Sequence, residues 1–216
     1  MTRGFVIALL GAESTGKTTL AAALCAALAR PDRRVALVTE YLREFCDAHC
    51  RTPRQDEQAA IAAEQTRRIV TAAASHDVVV ADTTALMIAV YSDHVFGDAA
   101  IYPAAQADQA QACDLTLLTA LDLPWQADGL QRDGPHVREP VDGLVRAALQ
   151  RAGCDYAVVS GTGPSRVEAA LASVERALNR PDTGDASPRW QWHCDRCGDA
   201  SCEAHVRRTL LPQILS

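Results

Sequence analysis

The chain has 216 residues, 48% hydrophobic and 5% aromatic, with 21 Lys and Arg against 27 Asp and Glu and a formal net charge of −6. That length allows one α/β domain with a sizeable core and a small appendage. The acidic balance leaves no general footprint for nucleic acid, and no apolar run reaches the roughly 18 residues of a membrane span, so neither partner is expected.

Phe5–Leu10 is a continuous apolar run, the pattern of a parallel strand buried on both faces. Arg3 precedes it as in a signal peptide, but the polar loop that follows has no small-residue cleavage site, so a cytoplasmic protein is expected. Residues 17–29 form a helix with Leu20, Ala23, Leu24, Ala27 and Leu28 on one face, ended by Pro31 and Asp32. Val35–Val38 is a short strand, and residues 55–75 form a long helix with Pro53 near its start. Residues 78–81 are a strand running into Asp82, and 83–90 the next helix. A Gly-containing loop spans 96–103, and 115–120 is a fourth strand. Residues 125–140, polar and rich in Gly, Pro and Arg, read as a loop or lid. A helix (141–151), a strand (156–159) and a helix (165–178) follow. This alternation predicts an α/β fold, a parallel sheet with helices on both faces and right-handed crossovers. The expected organisation is a main α/β domain over 1–180, a linker over 181–189 and a small Cys-rich extension over 190–216.

Between the first strand and the first helix lies Gly11-Ala12-Glu13-Ser14-Thr15-Gly16-Lys17-Thr18, the full G-x4-G-K-[ST] pattern in its required context. The glycines let backbone N–H groups turn in around an anion, and the helix N-terminus faces it. Lys17 places a point charge on the β- and γ-phosphates, and the Thr18 hydroxyl is a magnesium ligand. ATP and Mg2+ are therefore expected, held by Gly11, Glu13, Ser14, Thr15, Gly16, Lys17, Thr18 and Thr19.

Asp82 ends an apolar strand in the form of a Walker B acid, placed to hold magnesium through water or to accept a proton. It could equally cap the helix that follows. Glu40 ends the second strand in Thr39-Glu40-Tyr41-Leu42-Arg43-Glu44-Phe45, a position suited to a substrate carboxylate or general base, while Arg43 and Glu44 could form a surface pair. In the segment 128–138, Arg132 and Arg138 are candidates to neutralise charge on a transferred phosphoryl group, and closure there would exclude water. An ordinary solvated loop with an Arg–Asp pair is the plainer alternative, and His136 reads as a surface histidine.

GAESTGKTTL, EYLREF, IAAEQ, VVADTT and LDLPWQADGLQRDGPHVR together resemble the NadR-type nicotinamide riboside kinase domain and its AAA-type ATPase relatives, over residues 4–178. The resemblance implies a P-loop kinase fold and transfer of the ATP γ-phosphate to the 5′-hydroxyl of a ribonucleoside such as nicotinamide riboside. It implies that Glu40, Tyr41 and Arg43 lie at the substrate pocket and Arg132 and Arg138 in the lid. The family commonly has Arg directly after Asp-Gly-Leu; here Gln131 intervenes, so either arginine could be the one that acts. The nucleotidyltransferase and DNA-binding regions of multifunctional NadR proteins are missing from the sequence, which implies a stand-alone domain.

Five cysteines (Cys25, Cys46, Cys50, Cys113, Cys154) are scattered through periodic segments and read as small hydrophobes or free thiols. Cys194-x2-Cys197-x4-Cys202-x2-His205 instead supplies four ligands at the spacing of a structural tetrahedral zinc site, with His193 a rival for His205 and a redox Cys-x-x-Cys the other reading. The combined expectation is a magnesium-dependent kinase acting on ATP and a small hydroxyl acceptor, with Lys17, Glu40, Asp82, Arg132 and Arg138 as catalytic residues. The alternative is a P-loop ATPase or nucleotide switch with a partner-binding zinc tail. Oligomeric state is left open.

Overall fold

In the computed structural model, which describes residues 3–126 and 134–179, β1 (Phe5–Leu10) is buried at all but its first residue. β3 (Val78–Asp82) and β4 (Leu115–Thr119) are buried throughout. Such strands must be covered on both faces, which is why they lack polar alternation. With β2 (Val35–Val38) and β5 (Ala157–Val159) they form one parallel sheet in the order β2-β3-β1-β4-β5. After β1 the chain moves to one side of the sheet, and after β3 it crosses to the other. The switch lies between β1 and β3, and the crevice beyond their carboxyl ends is where this class of sheet binds ligands. Leu9 stands in register with Asp82, and Val38 with Ala81, so the residues after β1, β2 and β3 share one edge.

On one face α1 (Lys17–Leu28) packs against α7 (Gly163–Leu178). On the other, α3 (Gln58–Ala73) packs on α4 (Ala85–Phe96), which also meets α5 (Tyr102–Ala112) and α6 (Arg138–Arg151). Residues 85–90 are all buried, because the first half of α4 is enclosed by α3, α5, α6 and the core, so that half is apolar on every side. Leu86, Ile88, Ile61, Leu118 and Leu149 share this larger core cluster, each burial stabilising by about 1.5–3 kcal/mol.

Several boundaries differ from the expected ones. The helix expected to stop at residue 90 continues to Phe96 and ends at Gly97 in the left-handed region. Two helices were not anticipated, α2 (Tyr41–His49) and α5, the latter starting inside the expected 96–103 loop with Pro103 in its first turn. Residues 135–137 form a 3-10 turn and α6 begins at Arg138, so the expected 125–140 loop ends earlier. Among the described residues the five cysteines are free thiols. Burial pushes the Cys25 thiol up to about 11 and Cys113 to about 12, which keeps both protonated and unreactive near neutrality. No helix among the described residues is long and apolar enough to cross a membrane.

Candidate active site at the phosphate loop

The turn from β1 into α1 is built from backbone conformations that most residues avoid. Gly11 has φ +145, and a Cβ there would lie 2.1 Å from Thr119 Oγ1; Gly16 has φ +75 and caps α1. Ser14 takes φ +57 without being glycine, strain of the kind found at ligand clamps. Buried hydroxyls hold the loop from beneath. Thr15 Oγ1 donates to Ala12 O at 2.7 Å and accepts from Thr119 Oγ1 at 2.7 Å. Lys17 Nζ donates to Gly11 O and Ala12 O, both at 2.8 Å, which stations the ammonium at the mouth of the loop.

A cavity of about 760 Å³ opens above this loop. Residues 13–19 form its floor. Glu40, Leu42 and Arg43 form a second wall, with Thr83, Met87 and Tyr91 beside them. Leu123, Pro124 and Gln126 close a third side, and Ser14 Oγ donates to Gln126 O at 2.9 Å. On the second wall Arg43 pairs with Glu40 at 3.4 Å, not with its neighbour Glu44. Glu44 instead bonds Arg68 and Thr39, and the Arg68 guanidinium holds its carboxyl below the usual range. Asp82 is 3% exposed, beside the strand that leads into the loop, and its Oδ1 is buried without a hydrogen-bond partner among the described residues. The helix-cap reading of Asp82 is not what the fold uses: Thr84 caps α4, its side chain accepting from Leu86 N at 3.3 Å. A buried carboxylate oxygen left unpaired at this edge fits a hard cation held with the Thr18 hydroxyl.

The sequence model of a family described as an AAA domain matches residues 6–166, three quarters of the chain. This chain belongs to that AAA domain family. No curated protein matches it. Two solved structures of NadR protein share the fold at 19% identity. The complex with NAD and AMP-PNP has a TM-score of 0.63 over 88% of this chain and 52% of that one. The complex with NR has a TM-score of 0.68 over 82% and 51%. Thymidylate kinase from Ehrlichia chaffeensis gives 0.57 at 14% identity, over 82% of this chain and 100% of that one. The AAA domain chain thus spans about half the length of the NadR chains, and at these identities the likeness is one of fold.

Within the AAA domain, most of the expected site residues converge on the cavity, while Gly11, Tyr41, Asp82 and Arg138 stand outside its lining. The Tyr41 ring lies under the Arg68 guanidinium, 4.3 Å from its centroid, and packs at the rim of the larger core cluster. Arg138 is not on a loop. It opens α6, is 8% exposed, and donates to Leu123 O at 2.9 Å, bracing the cavity wall from behind. Arg132 and the set Cys194, Cys197, Cys202 and His205 lie outside the described residues.

Arg166 escaped the sequence reading. It is 4% exposed on α7, where it occupies a buried stripe with Ala170, Ser173 and Val174. Its guanidinium donates to Asp122 Oδ1 at 2.7 Å, Gly161 O at 2.8 Å and Thr15 O at 2.9 Å, so one side chain ties the phosphate loop to the segments after β4 and β5. Burial works against the Asp122 charge, but the Arg166 and Gly161 donors together outweigh it and hold the carboxyl below its usual range. The available signal was an arginine at a core position of an amphipathic helix. Replacing Arg166 with Met is expected to lower stability by about 1–3 kcal/mol and weaken Mg-ATP binding about tenfold. The stabilisation from Asp122 is complete above its unfolded pKa and fades as pH falls through the depressed folded value, so the variant should lose that part of its acid dependence. Thermal melts across acid pH and ATP titration calorimetry check this.

Proposed function

We propose that the chain is a magnesium-dependent kinase that transfers the γ-phosphoryl group of ATP to a hydroxyl of a nucleoside, with nicotinamide riboside the leading acceptor. The observation that carries this reading is one cavity whose floor is the phosphate loop and whose second wall offers Glu40, Arg43 and the apolar faces of Leu42, Met87 and Tyr91. A nucleotide switch needs the floor alone, whereas that wall suits a base and ribose placed in line with the phosphates. The fold neighbours, NadR protein bound to NAD and AMP-PNP or to NR, and a thymidylate kinase, support it.

In this reading Lys17 and the loop amides of residues 13–19 grip the triphosphate, while Thr18 and Asp82 hold Mg2+. The metal, when bound, neutralises charge on the β- and γ-oxygens. Glu40 or Asp82 takes the acceptor proton, Glu40, Tyr41 and Arg43 belong to the acceptor side, and Arg132 is the candidate to serve the transferred group, while Arg138 supports the Leu123 wall. A panel of nucleosides with Mg-ATP tests the reading. ADP formation that rises at least about tenfold with one acceptor supports it; ADP release unaffected by every acceptor overturns it and leaves the ATPase reading.

We also propose that residues 190–216 bind one structural zinc through Cys194, Cys197, Cys202 and His205, beyond a linker over 181–189. Metal analysis of the purified chain is expected to find about one equivalent of zinc, lost in Cys197→Ser; folded, metal-free protein would refute it.

A further inference from the structure

α3 carries a polar residue in the middle of its buried stripe. Gln65 is fully buried between Ile61 and Ile69, and its amide is spent on loops rather than on the helix. Gln65 Oε1 accepts from Tyr41 N at 2.8 Å. Its Nε2 donates to Thr39 O at 3.3 Å and to Thr83 O at 3.2 Å. The first two partners belong to the two peptide planes that adjoin Glu40: Thr39 O to the plane before it, Tyr41 N to the plane after it. Fixing both planes fixes φ and ψ at Glu40, and with them the direction of its Cα–Cβ bond. The third partner is the carbonyl of Thr83, a cavity residue next to Asp82. Thr83 has φ +81, a backbone state that a β-branched residue adopts only when its surroundings impose it.

We infer that Gln65 is a positioning residue of the acceptor site, a buried amide that sets the Glu40 backbone and ties it to Thr83. This rests on the reading of the Glu40 wall as the acceptor side. Gln65 does not line the cavity, and its three hydrogen bonds go to Thr39, Tyr41 and Thr83 rather than to the phosphate loop. Its loss should therefore disturb one wall and leave the floor intact. A neighbour one turn along reinforces the same segment, since Arg68 stacks on the Tyr41 ring and bonds Glu44.

The test uses the full chain with Gln65→Met, which keeps the volume and removes all three hydrogen bonds. Mg-ATP affinity by calorimetry should stay within about twofold, while kcat/KM for the best nucleoside acceptor falls about a hundredfold. Amide exchange followed by mass spectrometry should speed up about tenfold or more in peptides covering residues 39–45 and not in those covering residues 5–20. Unchanged exchange over 39–45, or equal acceleration in both regions, would overturn the inference. Gln65→Glu guards against simple misfolding. Protonated, it keeps the acceptor for Tyr41 N and one of the amide's two donors; ionised, it turns an oxygen toward two carbonyls. Its acceptor kcat/KM relative to wild type should rise as pH is lowered, and a flat ratio counts against the tether. If wild-type protein phosphorylates no nucleoside, the kinase reading falls, and exchange at residues 39–45 still decides for or against the tether.

Discussion

Replacing Lys17 with alanine is expected to lower acceptor-dependent ADP formation by about a thousandfold, the scale of losing a preorganised charge from the transition state. Lys17 is the only lysine in a sequence whose other Lys-or-Arg positions are all arginine. The geometry explains why an ammonium stands there. Lys17 Nζ lies 2.8 Å from two successive loop carbonyls, Gly11 O and Ala12 O, a space that suits a compact point charge and not a planar guanidinium. Lys17→Arg keeps the charge and is therefore the sharper test, with a loss still expected at about a hundredfold or more. The side chain is not part of the apolar core, so melting temperature should barely move in either variant. Mg-ATP should also protect the chain against amine-directed modification, read at a single lysine by mass spectrometry. Activity of Lys17→Arg within tenfold of wild type would show that only charge is needed there.

The loop between β1 and α1 and the position of Asp82 at the end of β3 were legible because their signals are local: an apolar run, a glycine-framed turn, a carboxylate at a strand end. The parallel sheet followed from the same runs. The unforeseen helices lack such contrast. α5 is mostly Ala and Gln, and its buried face consists of Tyr102, Ala105 and Gln109, so burial there does not track hydrophobicity. α2 is short and buries only Cys46. Arg138 was read as a loop residue because Gly134, Pro135 and Pro140 surround it, yet proline is tolerated in a helix's first turn, where no intrahelical N–H bond is lost. Gln65, quoted only within IAAEQ, and Arg166 were given no role for a deeper reason. Each occupies an apolar helical stripe, and its partners, Thr39, Tyr41 and Thr83 or Thr15, Asp122 and Gly161, are brought to it only by the sheet order. A polar side chain at a core position is visible in sequence; the groups it serves are not.

Asp82→Asn should separate stability from chemistry. The carboxylate is 3% exposed and has one oxygen buried without a hydrogen bond among the described residues, a costly arrangement for folding alone. Neutralising it is therefore expected to leave the melting temperature unchanged or raise it. Phosphoryl transfer should nonetheless fall by about a hundredfold to ten-thousandfold, whether Asp82 holds the cation or takes the proton. The magnesium dependence tells these roles apart. A cation ligand predicts that Asp82→Asn needs far more Mg2+ for half-maximal rate and recovers part of its activity when saturated. A base predicts unchanged magnesium demand and no recovery. Glu40→Gln is the counterpart. Glu40 lines the cavity in a partly exposed pair with Arg43, which leaves it free to meet an acceptor. If Asp82 is the base, Glu40→Gln should chiefly raise the acceptor KM and spare kcat; if Glu40 is the base, kcat should collapse at unchanged Mg-ATP affinity. Full activity in both variants would remove both carboxylates from the mechanism.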